Sequence, residues 1–213
     1  MTYPKKLFVT GTDTDIGKTV VSSILVSGLK AGYWKPIQAG RDPITDTEFL
    51  KKSTGLPDDH FYEESFNLTE PMSPHAAAEI DGVTIRFDEI PEPKTHQEHL
   101  IIEGAGGLIV PINDHQYVID LIAHFGYPAL LVAKSGLGTL NHTLLSLEAM
   151  RNRNIPVFGV VLVGERHNSN EEAIITYGKV ERLFRLPLLP DLTPTTIHEA
   201  FHSSLKKPIY TES

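Results

Sequence analysis

The sequence predicts an α/β fold: a mostly parallel sheet with helices on both faces, in three layers ordered α/β/α. Three observations carry that expectation. Short apolar runs alternate with helical patterns along the chain. The runs Leu100-Ile101-Ile102 and Ala129-Leu130-Leu131-Val132-Ala133 are continuously apolar, as strands covered on both faces must be. The first run, Leu7-Phe8-Val9, enters a glycine-rich turn, Gly11-Thr12-Asp13-Thr14-Asp15-Ile16-Gly17-Lys18-Thr19, which opens a helical pattern.

Taken in order, Val21, Ile24, Leu25 and Leu29 recur on helical spacing, and Ala31-Gly32 closes a helix spanning Val20 to Lys30. Tyr33 to Ile37 reads as a short strand running into Gln38-Ala39-Gly40, with Pro36 fixing its exit. Ile44 to Ser53 predicts a helix with Thr45 and Asp46 in its first turn and Thr54-Gly55-Leu56-Pro57 as its stop. Residues 58–74 show no regular pattern, after which Ser73-Pro74 reads as a capped helix start with proline in first position. Pro91 and Pro93 argue against a long helix in 81–98, which reads as a short strand or turn plus loop. His99 to Glu103 is a buried strand, and Gly104-Ala105-Gly106-Gly107 lets the backbone come close to a ligand at its end. Tyr117 to Phe125 is an amphipathic helix closed by Gly126, and Ala129 to Ala133 a strand that leads through Lys134 to Thr139 into a helix from Leu140 to Arg153. A strand from Val157 to Val163, a helix from Glu171 to Phe184, the short apolar segment Leu186 to Leu189 and a last helix near Thr195 to Leu205 complete the chain. The length suits a single domain over residues 1–213.

The turn after the first strand reads as a phosphate cradle of the P-loop NTPase-like type. Its N–H groups face inward, the following helix offers its positive end, Lys18 supplies a charge and Thr19 a hydroxyl for Mg²⁺. Thr12 to Ile16 put one residue more than usual between the first glycine and the Gly-Lys pair, so the loop is a variant. In a parallel sheet the loops 11–19, 36–46, 103–107 and 134–141 all leave the carboxyl edge. Together they bring Lys18, Thr19, Lys35, Asp46 and Glu103 to one place, which supplies two cations for phosphate charge, and a hydroxyl with two carboxylates for Mg²⁺. Glu103 ends a buried strand and needs a cation or donor there. Asp46 reads equally as an acid in the first turn of a helix, and an isolated Lys35 near a strand end is usually solvated.

Composition narrows the functional classes. The net charge is 19 − 27 = −8 with no basic cluster, which disfavours a nucleic-acid or anionic-membrane partner. The absence of cysteine excludes disulfides and thiolate metal sites and suits a cytoplasmic location. The N-terminal stretch lacks the apolar segment of a signal peptide, and no run approaches the roughly 18 apolar residues of a membrane span. Of the ten histidines, none is read as paired with another on one predicted face with an acid between, and His75 is explained by a capped helix start; no histidine is assigned to a metal. No Gly-x-Ser-x-Gly elbow occurs.

The turn Gly11 to Thr19, Lys35-Pro36-Ile37-Gln38, Glu103-Gly104-Ala105-Gly106-Gly107 and Gly136-Leu137-Gly138-Thr139-Leu140-Asn141-His142 make the chain resemble, over nearly its whole length, the dethiobiotin synthetases, ligases of the biotin pathway. The resemblance implies ATP- and Mg²⁺-dependent ring closure of 7,8-diaminononanoate (7,8-diaminopelargonate) with CO₂ through a carbamate and a carbamic-phosphoric mixed anhydride. It implies Lys35, Lys18, Thr14 and Asp15 as catalytic residues, and Thr19, Asp46 and Glu103 as Mg²⁺ ligands. ATP would be bound by Asp15, Ile16, Gly17, Lys18, Thr19, Val20, Asp46 and Glu103 with Gly104, Ala105 and Gly106, and towards the base by Gly164, Glu165, Thr193, Pro194 and Thr195. The substrate would meet Thr14, Lys35 and Ala39, and Gly136, Leu137, Gly138, Thr139, Leu140 and Asn141 from the other subunit of a homodimer. Ala39 stands where the family often has serine or threonine, Gly164 where many members have asparagine, and Asp191 to Thr195 departs from the common Gly-x-x-Pro form. A partitioning-type nucleotide-switch ATPase is the alternative, disfavoured by the acidic balance; an amidotransferase-type synthetase would need a cysteine nucleophile.

Overall fold

The computed structural model describes residues 2–212. Strand β1 (Lys6–Gly11) lies at the centre of the main sheet and helix α1 (Lys18–Leu29) leaves it through the glycine-rich turn. The chain continues through β2 (Gly32–Trp34), β3 (Ile37–Ala39), α2 (Asp46–Thr54), β4 (Phe61–Tyr62), β5 (Phe66–Leu68) and α3 (Pro74–Ile80). There follow β6 (Leu100–Gly107), α4 (Val118–Phe125), β7 (Ala129–Lys134), α5 (Thr139–Asn152), β8 (Val157–Val163) and α6 (Asn168–Gly178). Strand β9 (Arg182–Leu186), helix α7 (Pro194–Ala200), which runs into a π-helical turn at Phe201–Leu205, and β10 (Tyr210–Thr211) end it. Eight strands form one sheet in the order β10-β9-β8-β7-β1-β6-β2-β4, parallel except for β10.

The continuous apolar runs are explained by two cores, one on each face. Along β1, Phe8 points to one core while Leu7 and Val9 point to the other; along β7, Ala129, Leu131 and Ala133 oppose Leu130 and Val132. The first core takes in Val118 and Ile122 of α4, Leu147 and Met150 of α5 and Ile174 of α6; the second takes in Val21, Ile24 and Leu25 of α1, Leu50 of α2 and Ile197 of α7. Each such side chain contributes about 1.5–3 kcal/mol on full burial. That sandwich holds β1, β6 and β7 in register and so fixes where their loops emerge.

Four expectations need correction. The stretch from Tyr33 to Ile37 is two strands: β2 joins the main sheet, whereas β3 leaves it and pairs in parallel with β5 as a separate ribbon. Pro36 carries no N–H, so the ladder breaks beside it. The pattern-free stretch 58–74 contains β4, the edge of the main sheet, and β5, both too short to show a period. The helix expected to reach Phe184 stops at Gly178, with Lys179 left-handed at φ 45, and Phe184 is a buried residue of β9. Phe184 and Leu186 both face the α1 core, a period of two hidden inside a seeming helical one. Finally, His198 and His202 do share one face, with Glu199 between them in the sequence, and their ring centroids are 5.1 Å apart.

Candidate active site

At the carboxyl edge of β1 the phosphate turn reverses the chain. Asp15 (φ 51) and Gly17 (φ 96) are both left-handed, a conformation in which successive N–H groups turn inward. No side chain caps the start of α1, which leaves its first N–H groups to an anion. A Cβ on Gly11 would collide with Ile16, and one on Gly107 would press 3.2 Å from the Thr12 carbonyl, so the turn closes only over glycine. Lys18 is buried and its Nζ donates to the Asp13 carbonyl at 2.7 Å, bracing the loop across its mouth. Burial lowers its pKa against the opposing pull of Glu103.

Three of the four loops expected at this edge converge, those at 11–19, 36–46 and 103–107. Thr19 Oγ1 donates to Asp46 at 2.8 Å and lies 3.0 Å from Glu103 Oε1, while Lys35 Nζ sits 2.6 Å from Asp46 Oδ2 and 3.3 Å from Glu103 Oε1. Lys35 is only 5% exposed and Glu103 1%, which corrects the expectation of a solvated lysine. Burial acts against the Lys35 charge, but the Glu103 and Asp46 carboxylates outweigh it and raise its pKa. Burial likewise opposes ionisation of Asp46, and Lys35 outweighs it, holding Asp46 below its ordinary value of 3.8. Asp46 arrives through the start of α2, where Thr45 caps the helix and forms a reciprocal capping box with Glu48.

Two positioning residues escaped the sequence reading. Tyr33 OH donates to Glu103 Oε2 at 3.2 Å, and Gln38 Oε1 accepts from the Asp46 N–H at 3.2 Å while its amide donates to the Gly40 carbonyl at 2.8 Å. Gln38 lay within a motif already singled out; Tyr33 lay in a strand with nothing to mark it. Tyr33 holds the Glu103 carboxylate, and Gln38 the backbone that carries Asp46. Thr19, Asp46 and Glu103 offer hard oxygen donors, the set Mg²⁺ accepts.

These residues line a cleft of about 890 Å³ that also takes in Thr14, Asp15, Gly17, Val20, Ala39, Ala105 and Gly106. One wall is apolar, formed by Ile44, Phe49, Met72, Val110 and Leu192. Ile16 is buried beneath the turn, and Gly104 lies within β6 against Phe8. Gly164, Glu165, Thr193, Pro194 and Thr195 do not line the cleft; Leu192 stands at its wall in their place. Gly164 nevertheless follows Val163, which lies against Gly17, and a Cβ on Gly164 (φ 122) would fall 2.7 Å from Ser135 Oγ. Thr193 caps α7 by accepting from the Thr196 N–H. Gly136, Leu137, Gly138, Thr139, Leu140 and Asn141 lie outside the cleft of their own chain.

A family model described as an AAA domain matches residues 5–196. An ATP-dependent dethiobiotin synthetase BioD of Brucella ovis is 50% identical over 196 residues, 92% of each chain. The protein of that name from Rhodopseudomonas palustris is 46% identical over 206 residues, 97% of this chain and 98% of the relative. Among solved structures, a ParA family ATPase from Chlorobium tepidum matches with a TM-score of 0.55 at 12% identity, over 93% of this chain and 100% of that one. The septum site-determining protein MinD of Pyrococcus horikoshii, complexed with Mg-ADP, matches at 0.51 and 13% identity, over 92% and 86%. The last two share the P-loop NTPase fold; the first two decide the family. With the phosphate turn, two lysines and two carboxylates at one sheet edge, the chain belongs to the ATP-dependent dethiobiotin synthetase family, a family of ATP-dependent ligases.

Proposed function

We propose that the protein closes the cyclic urea of dethiobiotin from 7,8-diaminononanoate, CO₂ and ATP. The observation that carries this is the placement of Lys35, the Thr19 hydroxyl and two carboxylates within 3.3 Å contacts at the end of a phosphate turn that holds Lys18 across its mouth. One substrate amine takes up CO₂ as a carbamate with loss of a proton, the carbamate oxygen attacks the γ-phosphorus of ATP and ADP departs, and the second amine attacks the carbamoyl carbon of the mixed anhydride, expelling phosphate. Lys35 meets the negative charge of the carbamate and of the phosphoryl group in transfer; Lys18 and the N–H groups of residues 15–19 meet the phosphates. Mg²⁺, held by Thr19, Asp46 and Glu103, would neutralise charge on the phosphate oxygens. Thr14 and Asp15 orient the amine beside the phosphate, and Ala39 leaves the substrate to neighbouring backbone.

Glycines 136 and 138 with Asn141, at the start of α5, are proposed to bind the substrate carboxylate of the neighbouring subunit. The exposed Leu137, Leu145 and Ile109 beside that loop support a homodimer with shared sites. Gly164, Glu165 and Thr193 to Thr195 would border the base. The deciding experiment measures ATP turnover with and without diaminononanoate and bicarbonate. Turnover that needs both supports the reading, and turnover indifferent to them returns the partitioning-type ATPase.

A further inference from the structure

We propose that His198 and His202 form a transition-metal site on the outer face of α7 and its π-helical turn. The chain reads His198-Glu199-Ala200-Phe201-His202, and both histidines are exposed. Their ring centroids are 5.1 Å apart with the planes inclined at 71°. Two imidazoles holding one ion through in-plane nitrogens at roughly 2.0–2.1 Å bring their centroids about 5 Å apart at tetrahedral or cis-octahedral angles. The pair stands at the centroid separation that two ligands of one ion require, in an edge-to-face contact that rotation of the rings would turn towards the ion.

The backbone beneath it is anchored. Phe201 is buried against Gly28 of α1, closely enough that a Cβ there would collide with its ring. His198 Nδ1 lies 3.5 Å from the hydroxyl of the buried Ser27, also on α1. A ring donating from Nδ1 to that hydroxyl presents Nε2 as the ligand, the usual way an outer partner orients a metal-binding histidine. On the other ring, Lys206 Nζ lies 3.3 Å from His202 Nδ1, so the ammonium competes with an ion for His202.

Glu199 follows His198 by one residue, about 100° round the helix, and so lies off the shared face. Neither histidine lines the nucleotide cleft or the hollow beside α5, so the pair stands apart from both. Among the described residues no group of three or more His, Cys, Asp or Glu gathers as a metal cluster, so water fills the remaining positions. Two neutral imidazoles with water select a borderline divalent ion, Cu²⁺ above Ni²⁺ or Zn²⁺, and reject Mg²⁺. An ion held there would brace α7 beside the helix that begins with Lys18 and Thr19.

The test is calorimetric titration of the untagged full-length protein with Ni²⁺, in excess Mg²⁺ to occupy oxygen sites. The expected result is one saturable ion per chain, weakened about tenfold or more in both His198→Asn and His202→Asn, and tightened in Lys206→Gln. Ni²⁺ should also raise the thermal midpoint of the parent but not of His202→Asn, because only a ligand of the folded state stabilises it. Parent-like affinity in either histidine variant, or no saturable binding in the parent, would overturn the site; unchanged affinity in Lys206→Gln would overturn the competition by its ammonium. Both histidines are exposed, and circular dichroism of the variants checks that the fold is kept.

Discussion

Lys35 serves two ends at once, and its removal should separate them. Its ammonium is the cation between a fully buried Glu103 and a part-exposed Asp46. Truncation in Lys35→Ala leaves both carboxylates short of a partner, so we expect a loss of about 3 kcal/mol of stability alongside most of the synthetase activity. Adding Glu103→Gln should recover stability in denaturant unfolding without recovering turnover. Full activity in Lys35→Ala would refute its part in the reaction. Asp46 gives the matching pH dependence. Its folded-state pKa is depressed, so its contribution to stability is complete above 3.8 and is lost as pH falls through the folded value. Unfolding by denaturant on either side of 3.8 should show that loss in the parent and a smaller one in Lys35→Ala.

At the scale of elements, the start of α2 is where local sequence and site meet. The Thr45–Glu48 capping box satisfies the helix's first N–H groups and fixes the backbone of Asp46 beside Thr19. Thr45→Ala should cost about 1 kcal/mol and also weaken Mg²⁺-nucleotide binding, which a titration of the variant would detect; stability lost with unchanged nucleotide binding would uncouple cap from site. The turn after β8 carries a different restriction. Gly164 is left-handed at φ 122 and Ser135 stands where its side chain would go, so an asparagine that could match the adenine edge does not fit. With Gly164 beside the base as proposed, backbone and shape are expected to discriminate bases by about 1–3 kcal/mol. Comparison of kcat/KM for ATP, GTP, CTP and UTP checks this, and an ATP preference above roughly a thousandfold would exceed that range.

For the whole molecule, the proposed dimer sets where one active site ends. The loop 136–141 leaves β7 at the same sheet edge as the cleft, yet lines none of it within one chain, and Leu137 is fully exposed. A dimer that lays this loop over the neighbouring cleft would bury Leu137, Leu145 and Ile109 together. Mixing inactive Lys35→Ala chains with inactive chains carrying Gly138→Asp should then restore turnover, since a mixed dimer contains one intact site. No recovery after subunit exchange, verified by sedimentation, would confine the site to a single chain.

The layers, the phosphate turn and the chemistry of its neighbours are legible along the chain. Strands such as Leu100 to Ile102 and Ala129 to Ala133 are apolar on both sides, and a glycine turn with Lys18 and Thr19 has few other uses; both signals are local. Folding decides that β3 leaves the main sheet, that Phe184 lies in a strand, that Tyr33 holds the Glu103 carboxylate, and that Lys35 is buried. Each of these depends on a partner far along the chain: Phe66 to Leu68 for β3, Val161 beside Phe184, and Glu103 for Tyr33 and Lys35. A two- or three-residue strand has no period to read, and a lysine looks solvated until the carboxylates that neutralise it have been folded around it.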